Sequence, residues 1–210
     1  MTSVFVDISC SLDGYVAGPD PRRDEPLGDG GMLLHEWVFG LAAWRRPHGQ
    51  EGGEQGPDSD MVDAMQERHG AVVMGKGMFG GEPGPWGDDP WRGWWGDDPP
   101  FNEPVFVLTS HEREPLEVGG TTFAFVTDGI ESALDQARTA AAGKDVLVAG
   151  GASAIQQALR AGAVDDLTLH VVPLLLGGGV RLFGDQRLQL ELTGMRASPT
   201  GVCHLSYKRA

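Results

Sequence analysis

The chain has only two cysteines, Cys10 and Cys203, in 210 residues. That is too few for a disulfide framework, and both stand in strand-like runs where reduced packing residues are expected. Basic residues are also scarce: 16 Lys and Arg stand against 30 Asp and Glu, a net charge of −14. Binding a nucleic-acid backbone needs many positive side chains on one face, and here they are scattered, so nucleic acid is excluded as a partner. No apolar run reaches the length of about 18 residues that a membrane-spanning helix needs, so no membrane is expected. Met1, Thr2 and Ser3 lead directly into Val4-Phe5-Val6 without the basic start and apolar stretch of a secretory signal, and a cytoplasmic location is expected. His48, His69 and His204 show no metal-ligand spacing, and no metal is expected.

Hydrophobic residues make up 40% of the chain, enough to build the core of one compact domain over residues 1–210. Glycine is abundant, and its placement is informative. The run Val146-Leu147-Val148-Ala149-Gly150-Gly151-Ala152-Ser153-Ala154-Ile155 passes from an apolar strand through two glycines into an amphipathic helix. Such a junction lets a ligand approach the backbone, and the positive helix end favours an anion; the alternative is an ordinary tight turn. A second junction of the same kind is Ala71-Val72-Val73-Met74-Gly75-Lys76-Gly77-Met78-Phe79. Two anion sites can hold one dinucleotide. The third element, Pro104 to Leu108 followed by Thr109-Ser110-His111-Glu112-Arg113, ends a strand in hydroxyls and basic groups that suit an extra phosphate. Lys76 as a solvated charge, and Thr109 with Ser110 as a turn bonding its own backbone, are the competing readings.

Periodicity alternates between strand and helix. Strands are expected at residues 2–9, 71–74, 104–109, 122–126 and 145–149, and a helix at 59–68. Asp128-Gly129-Ile130-Glu131 has capping-box spacing, and Ile130, Ala133, Leu134 and Ala137 recur at i, i+3, i+4 and i+7, which predicts a helix to about Ala142 with one buried face. The next helix buries Ile155, Ala158 and Leu159 and stops at Gly162, a left-handed cap. Segments 187–196 and 201–209 suit an antiparallel pair. The sum is an α/β protein with a mainly parallel sheet, helices on both faces and a C-terminal antiparallel hairpin. Two long loops, at about 19–57 and 80–102, are rich in Gly, Pro and acid, yet they hold all six tryptophans: Trp37, Trp44, Trp86, Trp91, Trp94 and Trp95. Indoles are seldom left in solvent, so these loops are read as ordered, either walling a flat substrate or forming a local core or dimer contact.

Taken with the opening run Asp7 to Gly18 and the closing run Val164 to Gly179, these motifs in this order resemble the dihydrofolate reductase-like proteins related to the reductase half of the bifunctional riboflavin-biosynthesis deaminase/reductase. The resemblance covers most of the chain. It implies a three-layer α/β/α fold, NADPH as cofactor, and hydride transfer to a small heterocycle of pteridine, ribosylaminopyrimidine or flavin type. It places cofactor contacts at Val16 and Ala17, at Gly75, Lys76, Gly77, Met78 and Phe79, at Leu108, Thr109, Ser110 and His111, and at Gly150, Gly151, Ala152 and Ser153. Lys76, Ser110 and His111 fall at the adenosine 2′-phosphate. The cofactor would carry the reducing chemistry and the protein would position it. The zinc pattern of the deaminase half, His-x-Glu with Pro-Cys-x-x-Cys, is absent. In dihydrofolate reductase a carboxylate near the start of the first helix grips the pteridine; counting back from Gly75 lands near Ser59, flanked by Asp58 and Asp60.

For catalysis the sequence nominates Asp13, which could bond a heterocycle edge or relay a proton, or else simply start a turn before Gly14. His170 is read as a satisfied sheet residue. A nucleotide-binding protein without efficient turnover, a sensor or scaffold, is the second reading. The apolar segment Leu167 to Leu176 is too long for a solvated edge and predicts a homodimer, unless the terminal hairpin covers it within one chain.

Overall fold

The structure, a computed structural model, describes residues 2–80, 84–88 and 90–210; the part of the second tryptophan-bearing loop at 81–83 and 89 lies outside the described residues. The first half contains β1 (Val4–Ser11), β2 (Tyr15–Ala17), α1 (Glu36–Phe39), α2 (Ala42–Arg45), α3 (Pro57–Arg68), β3 (His69–Gly75), α4 (Lys76–Phe79) and β4 (Pro104–Leu108). The second contains β5 (Leu116–Val118), β6 (Thr121–Val126), α5 (Ile130–Ala140), β7 (Asp145–Gly150), α6 (Ala152–Arg160), β8 (Asp166–Val172), β9 (Val180–Arg181), β10 (Leu190–Ala197) and β11 (Cys203–Arg209).

Among the described residues nine strands form one sheet in the order β10-β11-β8-β1-β7-β3-β4-β6-β5. Pairing is parallel from β8 through β6 and antiparallel at both ends, where β11 and β10 close one edge and β5 the other. The expected parallel sheet and C-terminal hairpin are therefore present, and the short β5 edge is an addition. Alternation sorts each strand's side chains between two layers. Val4, Val6, Ala71 and Val73 join the buried face of α5 and α6, while Phe5, Val72 and Met74 pack on the opposite side with Phe79 and Phe123.

The helices begin and end for local reasons. Pro57 starts α3 with a preset φ, and Asp58 and Asp60 lie in its first turn, where carboxylates are favoured. The buried face of α5 is Ile130, Ala133, Leu134 and Ala137, as the spacing predicts. Its expected capping box does not form: the N-cap is Gly129 at φ 91, with no side-chain cap bond. Helix α6 ends at Gly162 (φ 64), with Gly162 N–H on Leu159 O and Ala163 N–H on Ala158 O, the two bonds of a Schellman ending.

The tryptophans mostly build local core. Trp86 and Trp95 pack around Phe79, Phe123 and Phe125 with ring centroids 5.0–6.1 Å apart, and Trp37 covers β8 and β11 on the α3 side. Strand β8, expected as an open edge, is paired on both sides, by β1 and by β11. The terminal hairpin thus covers it within the chain, and the exposed edge is β10.

Candidate functional site

Every glycine junction singled out from sequence lies at the carboxyl end of a parallel strand, where open α/β sheets bind their ligands. The sheet opens there. Strands β1 and β7 pair only at Val4↔Val146 and Phe5↔Leu147, although β1 continues on β8 to Ser11↔Val172 and β7 continues on β3 to Met74↔Gly150. The carboxyl halves of β1 and β7 therefore separate. Backbone groups lining the split are outside the β1–β7 ladder.

The two glycine junctions meet on the β7 side of this split. A Cβ built on Gly75 would lie 3.6 Å from Ala154 Cβ, 3.8 Å from Gly151 N and 3.9 Å from Gly150 O. Gly150 has φ 138 and its Cβ would come 3.2 Å from Met78 Sδ, whereas Gly77 and Gly151 have open space at their Cβ positions. Gly75, Gly150 and Gly151 thus make one side-chain-poor floor, bordered by Met78. Directly above it α6 begins, with Gly151 as N-cap and the first-turn N–H groups of Ala152 and Ser153. Phe79 is the exception in this set. It is fully buried and belongs to the core.

The third element gathers charge around one indole. Lys76 Nζ lies 4.3 Å over the Trp86 ring and donates to Gly84 O, and the Arg113 guanidinium lies 4.7 Å over the same ring. Trp86 Nε1 donates to His111 O at 2.9 Å. Burial pushes the Lys76 ammonium and the Arg113 guanidinium below their ordinary pKa values. Thr109 Oγ1 accepts the His111 N–H at 3.2 Å, the local turn foreseen as the alternative. Leu108 ends β4, and Ser110 is exposed beside it. A surface depression of about 560 Å³, lined by Glu112, Arg113, Glu114, Phe125 and Thr127, adjoins this group. Sequence reasoning missed Trp86 as the centre of the cluster, because nothing local ties it to Lys76 or Arg113.

Asp13 is held as a clamp. Its carboxylate accepts Ser11 Oγ at 2.6 Å, Leu176 N–H at 3.1 Å and Gly177 N–H at 2.7 Å. These bonds, Ser11's foremost, hold its pKa below the ordinary carboxylate value. They pin the β1–β2 turn to the Leu176–Gly177 segment, so both oxygens already have partners. Of its neighbours, Val16 is buried in the core and Ala17 is half-buried.

A polar group not anticipated as a unit occupies the α3 side of β1, β8 and β11. His170 Nε2 lies 2.7 Å from Asp7 Oδ1, and its Nδ1 lies 2.8 Å from His204 Nδ1. Trp37 packs at a tilt against both imidazoles, centroids 4.9 and 5.2 Å away, and donates to Ser9 Oγ at 3.0 Å. Asp58 accepts Arg196 at 2.8 Å and also Ser198 Oγ, which commits this helix-start carboxylate to internal partners. Its neighbour Ser59 is equally committed, accepting Ala43 N–H at 3.0 Å. His35 is half-buried, and loss of solvent around its ring pushes its pKa down to about 4. Reading His170 as a satisfied sheet residue is correct as far as it goes. Its partners come from β1 and β11, and only the polar alternation of Asp7, Ser9 and Ser11 hinted at them.

A parallel sheet split at its carboxyl end, with antiparallel edges and glycine floors, is the dihydrofolate reductase-like α/β architecture. Residues 2–204 match the family model of the RibD C-terminal domain, and the chain belongs to that family. It is similar to the putative riboflavin biosynthesis protein of Shewanella sp. PV-4, with TM-score 0.65, 22% identity, and coverage of 100% of this chain and 99% of that one. It is also similar to the diaminohydroxyphosphoribosylaminopyrimidine deaminase/5-amino-6-(5-phosphoribosylamino)uracil reductase of Thermotoga maritima, with TM-score 0.59, 13% identity, and coverage of 100% and 57%. Dihydrofolate reductase of Enterococcus faecalis complexed with NADP(H) superposes with TM-score 0.53 at 13% identity, covering 99% and 96%. In sequence, the uncharacterized protein YyaP of Bacillus subtilis (strain 168) is 34% identical over 105 residues, which are 49% of this chain; the match spans about half of that relative, 52% of its length. Among the described residues no helix is long and apolar enough to cross a membrane.

Proposed function

We propose that the protein is an NADPH-dependent reductase that transfers hydride to a small heterocycle of pteridine, ribosylaminopyrimidine or flavin type. The observation that carries this reading is the split between β1 and β7, floored by Gly75, Gly150 and Gly151 under the start of α6. Open Cβ space at Gly77 and Gly151 leaves room for a pyrophosphate against the backbone. The first-turn N–H groups of Ala152 and Ser153 supply donors for its oxygens. At the far end, Lys76, His111 and Arg113 supply positive and polar groups for a 2′-phosphate, with Ser110 exposed beside them. A reduced nicotinamide lying in the split would supply the hydride, and the chain's own task is to orient it and exclude water. Family membership supports reductase chemistry, and the NADP(H)-bound dihydrofolate reductase neighbour supports the cofactor.

The clamped state of Asp13 favours the second reading, a protein that binds NADP(H) without efficient turnover. One experiment separates the two. NADPH is titrated calorimetrically, then its oxidation is followed against dihydrofolate, a ribosylaminopyrimidine and flavin mononucleotide. Binding with oxidation by one of these supports the reductase; binding with none supports the second reading; no binding removes both. NADPH is expected to bind at least about tenfold more tightly than NADH, a difference of about 1.4 kcal/mol, which charge-assisted bonds from Lys76 and its neighbours can supply. Equal affinities would sink the 2′-phosphate assignment.

A further inference from the structure

Reduction of a heterocycle consumes a proton as well as a hydride, and the split carries no free acid at Asp13. The polar group beneath Trp37 offers a source. We propose that Asp7, His170, His204 and Asp58 form a proton relay that delivers a proton from the Arg196 side of the sheet to the β1 flank of the split. The proposal rests on the reductase reading for its purpose.

The four side chains follow one another as neighbours. Asp7 Oδ1 to His170 Nε2 is 2.7 Å, His170 Nδ1 to His204 Nδ1 is 2.8 Å, and His204 Nε2 to Asp58 Oδ1 is 3.6 Å. The histidines are sealed, 5% and 3% exposed, while the carboxylates at the two ends are 14% and 11% exposed. Arg196, bonded to Asp58, is 36% exposed and marks the solvent end. Among the described residues, Arg196 from β10 acts on His204, and His35 from the turn Gly31–His35 interacts with His170 at longer range. Trp37 closes the line from above.

Donor counting fixes how a proton moves. A neutral imidazole carries one N–H and one lone pair. With Asp7 ionised, His170 Nε2–H donates to Asp7, so His170 Nδ1 must accept from His204 Nδ1–H. His204 Nε2 is then a bare lone pair, and this atom has no hydrogen-bond partner among the described residues. A proton arriving at His204 Nε2 releases the Nδ1 proton to His170 Nδ1, which releases its Nε2 proton to Asp7 Oδ1. One proton enters and one leaves; both imidazoles end in the opposite tautomer, and each ring must turn over before a second proton can pass. The incoming proton is drawn from solvent at the Asp58–Arg196 end. Asp7 lies on the strand that borders the split, two and four residues before Ser9 and Ser11 on the same face. There the proton completes addition across the heterocycle's double bond, with the electron pair arriving as hydride.

The test is a ring-nitrogen NMR titration of the two histidines in the wild-type protein and in Asp7→Asn. The relay requires His170 and His204 to titrate as one coupled unit, with the substitution at Asp7 changing the His204 signals although Asp7 does not touch that ring. Independent transitions in the wild type, or His204 signals unaffected in folded Asp7→Asn, overturn it. Should Asp7→Asn not fold, the wild-type titration decides alone. For whichever heterocycle is turned over, Asp7→Asn is expected to lower kcat by about a hundredfold or more, with the NADPH dissociation constant and KM nearly unchanged. His204→Gln is expected to lower kcat and shift its pH profile. A folded Asp7→Asn that binds NADPH and keeps wild-type kcat also overturns the relay. If the wild type does not bind NADPH, the reductase reading fails while the NMR titration still decides whether the relay exists.

Discussion

A Cβ on Gly150 would stand 3.2 Å from the sulfur of Met78, on a backbone already at φ 138. One residue further on, Gly151 has nothing within 4 Å of its Cβ position and an ordinary φ of −68. The two glycines therefore fail differently when replaced. Gly150→Val is expected to lose stability, by more than about 1 kcal/mol, because the conformation disfavours any side chain. Gly151→Val is expected to stay folded and lose NADPH binding, since the new side chain enters the space proposed for the pyrophosphate. An unchanged dissociation constant in Gly151→Val, read by calorimetry, would mean that the turn is only structural.

Acid sensitivity should begin at the histidines. Burial pushes His35 and His204 from 6.5 down to about 4. The unfolded chain takes up a proton on each near pH 6.5 and the native protein only near 4, so stability is complete above 6.5 and falls as pH drops through this window. The slope is on the order of 1 kcal/mol per pH unit for each histidine. Urea unfolding at pH 7.5, 6 and 5 measures it, and constant stability over that range would contradict the buried-neutral assignment.

Arg68 ties the end of α3 to the starts of two strands. Its Nε donates to Asp145 at 2.7 Å, a terminal nitrogen donates to Asp166, and the guanidinium lies 4.1 Å over the Phe5 ring. Arg68→Ala is expected to cost about 1–2 kcal/mol, more than an isolated surface pair, because two carboxylates and a ring lose their partner. Burial alone would raise the Asp145 pKa, but the bonds from Arg68 and Ser3 N–H outweigh it and the net shift is downward from 3.8. The contribution is therefore present above about pH 3.8 and disappears as pH falls through the lowered native value. A wild-type stability matched by Arg68→Ala at pH 7 would refute this.

Dimer formation remains our expectation, now on a different surface. Strand β10 is an edge, and it exposes Leu192 and Met195, 53% and 72% accessible. Unprotected edges with apolar side chains invite pairing with a second copy. Light scattering should give about twice the chain mass of 22.4 kDa, and Met195→Glu should shift it toward one chain. A wild-type mass near 22.4 kDa at micromolar concentration would end the proposal.

Local order was legible in the chain itself. The buried stripe Ile130, Ala133, Leu134 and Ala137, the cap at Gly162 and the glycine junctions at Gly75 and Gly150 depend on φ, side-chain period and neighbours a few residues away. Those forces act along the sequence, so these elements could be read from it, whereas β2, β5, β9 and the short helices α1, α2 and α4 were not. The sequence did not suffice where partners are far apart. Asp7 reaches His170 across 163 residues and His170 reaches His204 across 34, and no period records such a pairing. Likewise β8 reads as an edge until β11 returns to cover it, and Asp13 reads as free until Leu176 and Gly177 close on it. Strand order, and the separation of β1 from β7, were decided only by tertiary packing, because layers of side chains on both faces of the sheet determine which strands lie side by side and where they part.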